Sequence, residues 1–352
     1  MHPSNNYGPV LAKVRVGKGK LLDKQKYNAI VYSENFNTAI SYLNSTDYWS
    51  YISKFAQTIP STLEIEKALF EYYYDELDKC IKYSPDEGKV FLNLLHDMEL
   101  VSLLENLLCS KYFGVKFEDF QGTITREAFL KKINVVSLYE NFAKILDYFL
   151  EKGLASELRI ILSKTVDDPN LRILEIRQKY WKILQKTVKE KRGFHSHLAG
   201  IVRRQSLKEN LLLVSRLRRL GAPDNIIKKY IIPFSSEEEK VFQKLLSTQD
   251  FKTLSSYIEE LYGTEREFLE GMARYDVEEL KTVYDRIIAR QAYKVFLAYP
   301  FQPDIAYGYM ILKRYEIEDV MNMLKAKILD IDIESLKKVL ILPIFSKTSE
   351  EN

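Results

Sequence analysis

Glycine and proline are scarce, at 13 and 10 of 352 residues, roughly half of the average usage of about 7% and 5%. No Asn-Gly, Asp-Gly or Gly-Gly pair occurs anywhere in the chain, so the usual closures of tight hairpins are missing. A chain that avoids the residues that break helices and build turns is expected to be all-α. Cysteine is nearly absent too. Cys80 and Cys109 have no Cys/His cluster near them, which excludes a disulfide framework and a zinc site and fits a reducing cytosol. The opening MHPSNNYGPV lacks a charged region followed by an apolar one, so no secretory signal is expected. No apolar run approaches the roughly 18–20 residues needed to cross a bilayer. A soluble protein is expected, still able to lie on a membrane protein.

Catalytic signatures are missing as well. There is no Gly-x-x-x-x-Gly-Lys-Ser/Thr loop to cradle a phosphate. Gly17-Lys-Gly19-Lys20 comes nearest, but it follows a basic stretch and not a buried strand, and reads as a flexible connector. His195 and His197 lack a Cys or carboxylate cluster that could complete a metal site, and read as surface histidines. Nothing resembles a nucleophile elbow or a His-Glu-x-x-His helix. No catalytic, cofactor-binding or metal-binding residue is nominated, and the chain is not expected to be an enzyme.

What is present is apolar mass and charge: 46% hydrophobic and 29% charged residues, enough for a large core and, by length, two or three domains. The net charge of +3 is unevenly spread. Residues 191–230 carry ten Lys/Arg against Glu209 and Asp224, a local +8, so the remainder sums to −5. Lys13, Arg15, Lys18 and Lys20 also precede the first acid, Asp23. Such clusters are either solvated helix faces or a docking surface for something acidic. Arg203, Arg204, Arg216, Arg219, Lys325 and Lys327 are the candidate partner-binding residues. In the basic segment Leu211, Val214 and Leu217 recur every three residues and should face the core, with Leu213 and Leu220 close by. Arg216 and Arg219 then flank that stripe, and Arg218 points elsewhere. Tyr72-Tyr73-Tyr74 could stack bases, but Tyr73 and Tyr74 fall on a helical core stripe, and core packing is expected.

Helix starts are written as capping boxes, in which a Ser/Thr oxygen and a Glu carboxylate satisfy free amides. Ser61–Glu64, Ser84–Glu87, Ser236–Glu239 and Thr264–Glu267 have this form. Behind them run helical periodicities, among them Leu69, Tyr73, Leu77 and Ile81, and Ile173, Ile176, Tyr180 and Leu184.

At longer range the apolar set Tyr27, Val31, Phe36, Ile40 and Leu43 is matched by Phe129, Ile133, Leu138, Phe142 and Ile145. A third set is Phe242, Leu246, Phe251, Ser255 and Ile258, with one polar lapse. The centres lie 102 and 113 residues apart, and Asp23 and Thr125 stand as caps at the same distance upstream. Separately, Asn210 is followed by Arg216, Arg218 and Lys228-Lys229, and Asp319, 109 residues on, by Lys325, Lys327 and Lys337-Lys338. Both segments close on an apolar run holding Pro233 and Pro343. The matching position in the first third is Leu100, with Asp97 three residues before it, as Glu316 stands three before Asp319. Two elements recurring in the same order predict a threefold internal repeat, with units 5–120, 121–232 and 233–346 between tails 1–4 and 347–352.

The stretch Tyr309-Met-Ile-Leu-Lys-Arg-Tyr-Glu316-Ile-Glu-Asp319-Val-Met-Asn-Met-Leu-Lys325-Ala-Lys327 resembles the closing repeat of the C subunit of archaeal and bacterial A/V-type rotary ATPases, related to the eukaryotic V-ATPase d subunit. Tyr7, Lys13, Arg15 and Leu21-Leu22-Asp23-Lys24 are similar to that family's first helix and first cap. The chain departs from the family pattern at Asp319, where Asn is usual, at Leu207, where an acid is usual, and at Leu100. The resemblance implies a funnel of three helical domains, cytoplasmic and peripheral on the cell membrane. It would link the central shaft subunits D and F to the membrane rotor ring of proteolipid subunits and transmit torque for ion translocation. It implies no cofactor, no nucleic acid and no insertion into the bilayer. The rival is a repeat-helical adaptor or RNA-binding scaffold using the same +8 region, which a steep loss of binding with salt would reveal.

Overall fold

The computed structural model describes residues 7–55, 60–113, 138–164, 168–190, 196–247, 277–297 and 302–342. Among them there are helices and no strand. The first are α1 (Gly8–Gly19), α2 (Lys24–Val31), α3 (Phe36–Leu43), the single turn α4 (Trp49–Ile52), α5 (Thr62–Tyr83) and α6 (Asp86–Phe113). Then come α7 (Leu138–Tyr148), α8 (Lys152–Ser163), α9 (Pro169–Glu190), α10 (Ser196–Arg219) and α11 (Asp224–Tyr230). The last are α12 (Ser236–Ser247), α13 (Val277–Lys294), α14 (Asp304–Ile328) and α15 (Ile333–Val339).

The starts follow the capping chemistry in part. Asp23 accepts the Lys26 amide at 2.8 Å, and the Ser61–Glu64 box closes in both directions. Ser84 instead ends α5, its amide bonding the carbonyls of Cys80 and Ile81, while Pro85 O takes the amides of Gly88 and Lys89. At α12 the cap lies one residue early. Ser235 Oγ accepts the Glu238 amide at 3.3 Å, and Glu238 returns to the Phe234 amide, not to Ser235. Thr125, Phe129, Ile133, His195, Phe251, Ser255, Ile258, Thr264 and Pro343 lie outside the described residues.

The main core runs from Tyr7 to Leu342, and a smaller one gathers Leu207, Leu211, Ile227, Phe242 and Tyr284. Tyr72, Tyr73 and Tyr74 are all buried in the main core, with edge-on ring contacts between Tyr73 and Tyr74 and from Tyr72 to Tyr48 and Tyr51. At its centre lies α14, buried nearly all round by the helices about it and carrying Asp304, Lys313, Glu316 and Asp319 among its buried residues. It packs against α1, α2, α3, α5 and α6 from the first third, and against α10, α13 and α15. Close approach needs small residues at two crossings. A Cβ on Gly17 would overlap the Tyr309 hydroxyl, and one on Gly308 would lie 3.2 Å from the Ala292 carbonyl oxygen. Gly17-Lys-Gly19-Lys20 is therefore the last turn of α1 and not a flexible connector: Gly17 packs on a tyrosine ring.

Candidate partner interface and the buried polar cluster

The basic residues marked in the sequence divide by their use inside the fold. Arg203 on α10 donates through Nε to Glu238 Oε1 at 2.7 Å. Arg204 reaches the Gly200 carbonyl at 3.3 Å. On α14, Lys325 Nζ lies 3.6 Å from Glu66, and Lys327 donates to the Val31 carbonyl at 2.6 Å. Arg216 and Arg219 are exposed. Arg218, which the helical stripe alone did not single out, donates to the carbonyls of Leu245 (2.7 Å) and Leu246 (3.2 Å) at the last turn of α12. Only the neighbouring helix end explains that bond, so no pattern along α10 could reveal it. Leu211 and Val214 are buried and Leu217 packs on the smaller core, as their spacing predicts. Leu220 does not follow: it is 80% exposed. The helix has already ended there, in a turn where Gly221 takes φ +72° and Ala222 N–H bonds the Leu217 carbonyl at 2.9 Å.

The densest polar chemistry is buried, on α14. Glu316 Oε2 accepts the Leu22 amide at 2.5 Å, and its Oε1 accepts the Tyr48 hydroxyl and, at 2.9 Å, Lys313 Nζ. Lys313 also lies 5.0 and 5.2 Å above the rings of Tyr48 and Tyr72. One turn on, Asp319 Oδ1 accepts the Ile341 amide at 2.7 Å, while Oδ2 accepts the Leu342 amide at 2.9 Å and the Tyr27 hydroxyl at 3.2 Å. Burial pushes the Asp319 carboxyl up to about 7, against the downward pull of those donors. Burial beside the same carboxylates raises the Tyr27 and Tyr48 hydroxyls well above their usual range. The recurrence in sequence marked Glu316 and Asp319. It missed Tyr27 and Tyr48, because their carboxylate partners lie 292 and 268 residues away in the chain, and Lys313, which stands only three residues before Glu316 but was not part of the recurrence.

Similar junctions hold the rest. Asp97 accepts the amides of Leu150 and Glu151, each at 2.9 Å, where the chain enters α8. Asn210 accepts the Ile232 amide and donates to its carbonyl, again both at 2.9 Å. Lys208 and the Tyr315 hydroxyl both reach Asp285 Oδ1 at 2.8 Å, and Lys208 and Lys281 outweigh burial to hold that carboxyl below its usual value. Arg177 grips Glu105 through two nitrogens, at 2.9 and 2.5 Å. Arg314 bonds Glu99 and Glu318 and stacks on Phe70. These buried charges are matched by partners, which makes the helix junctions costly to open. Among the described residues no group of three or more His, Cys, Asp or Glu is placed to hold a metal. Burial lifts the Cys80 thiol to about 12, leaving little nucleophilic thiolate. None of the described helices is long and apolar enough to cross a membrane.

The sequence pattern of the ATP synthase (C/AC39) subunit family matches residues 10–339. The A-type ATP synthase C subunit of Methanocaldococcus jannaschii is 24% identical, covering 95% of this chain and 86% of its own length. That of Pyrococcus horikoshii is 22% identical, with 89% and 84% covered. That of Thermococcus gammatolerans is 21% identical, with 94% and 88% covered.

Proposed function

Because the chain belongs to the ATP synthase (C/AC39) subunit family and is thus a subunit of a rotary ATPase, we propose that it serves as the non-catalytic connector of the central stalk. In this reading it joins the shaft subunits D and F to the membrane rotor ring, lies peripherally on the membrane through the complex, and carries torque between the two. Its units are 5–120, 121–232 and 233–346. The Asn210–Ile232 and Asp319–Ile341 junctions, 109 residues apart, support the division between the second and third.

The observation that carries this reading is the Glu316 cluster. An element under torque must not shear open, and here the first and last thirds of one chain are fastened by buried bonds from Glu316 to Leu22 and Tyr48 and from Asp319 to Tyr27. Stiffness of that kind comes from packed, fully paired interiors and needs no reacting group. The test is recovery of an affinity-tagged chain from detergent-solubilised membranes. Shaft subunits D and F and the ring should come with it, and the purified chain alone should hydrolyse no ATP. Recovery without any rotor subunit, or with nucleic acid released steeply by salt, would return the chain to the scaffold reading.

A further inference from the structure

An open cleft of about 360 Å³ lies between the ends of α9 and α11 and the face of α12. That is near the lower end of the roughly 300–1,000 Å³ typical of ligand pockets, room for a side chain or two. Phe234 and Phe242 give it an apolar floor, Lys189 comes from α9 and Lys228 from α11, and α12 contributes Glu239 and Gln243. Lys189 Nζ lies 4.9 Å above the Phe234 ring, so its charge is held over the floor. Neither lysine makes an ion pair among the described residues.

The walls are fixed from behind. Asn210 and Gln185 hold Ile232, Glu238 holds the Phe234 amide, and Arg218 ties the far end of α12. Gln178 Nε2 fastens the end of α11 through the Lys229 carbonyl at 2.7 Å. Such a cleft loses little entropy on filling. Its chemistry favours one class of occupant. The two lysines on opposite walls call for negative charge. Glu239, whose carboxylate takes the Gln243 amide at 3.5 Å, can also accept a peptide N–H, a donor that a polyphosphate does not offer.

We propose that this cleft receives an acidic segment of a neighbouring subunit, with one apolar side chain seated on Phe234 and Phe242 and carboxylates meeting Lys189 and Lys228. The proposal rests on the rotary-complex reading and names a surface within it.

The test places the photo-reactive residue p-benzoylphenylalanine at Gln243 in the assembled, detergent-purified complex and maps the adduct by mass spectrometry. An adduct on another subunit, next to Asp or Glu, is expected. Lys189→Glu with Lys228→Glu should lower its yield at least about tenfold with an unchanged thermal melt. Should that pair disturb the melt, Lys189→Gln with Lys228→Gln gives the same comparison. An adduct within this chain, on lipid or on nucleic acid, one on a segment without acids, one indifferent to the charge changes, or no adduct overturns the proposal. If the unmodified chain fails to co-purify with rotor subunits, the functional reading has failed instead, so the two failures are distinguishable.

Discussion

In α10 the Asn210 carboxamide holds Ile232 twice, taking its amide and giving to its carbonyl; in α14 the Asp319 carboxylate takes the amides of Ile341 and Leu342. Beyond these residues the two stretches run in parallel. Ala222 N–H bonds the Leu217 carbonyl and Ile331 N–H the Ala326 carbonyl, both at 2.9 Å, around left-handed residues Gly221 and Asp330. The difference lies in what one side chain can do. An amide offers donor and acceptor and can satisfy a single residue, so Asn210 closes on Ile232 alone, whose carbonyl Gln185 of the neighbouring α9 also reaches. A carboxylate only accepts, and Asp319 draws a third donor, the Tyr27 hydroxyl, from the other end of the chain. Three residues earlier the contrast repeats: Leu207 packs in the smaller apolar core, where α14 has Glu316 reaching Leu22 and Tyr48. One local motif thus closes a helix pair in α10 and fastens two ends of the molecule in α14.

The hardest blow to this contrast is Glu316→Ala. It leaves Lys313 buried without its carboxylate, and the loss should be about 3–5 kcal/mol, the usual cost of breaking a buried pair, read by urea denaturation. Lys313→Met with Glu316→Leu, which gives α14 the apolar chemistry of Leu207, should recover much of it. If Glu316→Ala costs less than about 1 kcal/mol, the cluster does not fasten the ends.

Next come the two junction residues. Asn210→Ala should cost about 1–3 kcal/mol by stranding the Ile232 amide and carbonyl, with no change in how stability varies with pH. Asp319 differs, because its folded pKa stands at about 7, above an unfolded value of about 3.9. The folded state therefore binds the proton more tightly. This contribution to stability is fully present below about pH 4 and is lost as pH rises through about 7. Asp319→Asn should remove that slope, so the difference between wild-type and variant melts should change across pH 4–7. A difference constant with pH would mean that Asp319 is not charged and uncharged in turn within the fold.

The sequence made the helices legible because Gly and Pro are so few, and it found the helix stripes of α5, α9 and α10 from spacing alone. It also marked Asn210, Glu316 and Asp319, since a buried polar residue that recurs at a fixed offset stands out against an apolar helix. Their partners were not legible. Leu22 N–H, Tyr27 and Tyr48 belong to the first third, and nothing local links them to α14. Leu220 was misplaced because a three-residue spacing does not say where the helix stops; Gly221 does, one residue later. Among the basic residues, sequence could not separate those spent inside the fold, such as Arg203 and Lys327, from the exposed Arg216 and Arg219.

The two turns offer a finer comparison. Gly221 takes φ +72° without penalty, whereas Asp330 holds φ +51° with a side chain. Gly221→Ala should cost about 1 kcal/mol, and Asp330→Gly should gain up to about 1 kcal/mol, less what the unfolded chain gains in freedom. Thermal melts of the pair check both. Equal and opposite effects would mean that the turns are strained only by their backbone, and a loss at Asp330→Gly would mean that the carboxylate has a role in the turn.

The smallest effect on stability, and the one that bears most on partners, belongs to Arg216 and Arg219. Arg216 answers to Lys325 at the 109-residue offset, and both are exposed, but Lys325 lies 3.6 Å from Glu66. Exposed charges of this kind hold little folding energy, so Arg216→Glu with Arg219→Glu should leave the melt within about 0.5 kcal/mol of wild type. At an interface with an acidic partner each charge is worth more, since reversing it places like charges together as water is excluded. The double variant should then assemble poorly with the rotor, or hydrolyse ATP with weakened ion pumping. Lys325→Glu supplies the control, an exposed lysine at the matching offset whose reversal sets a like charge beside Glu66 and should cost the fold no more than about 1 kcal/mol. An unchanged melt with full assembly and full coupling in the arginine variant would make Arg216 and Arg219 solvated ends of α10. Loss of assembly in the arginine variant alone would set that end of the helix apart as a contact surface.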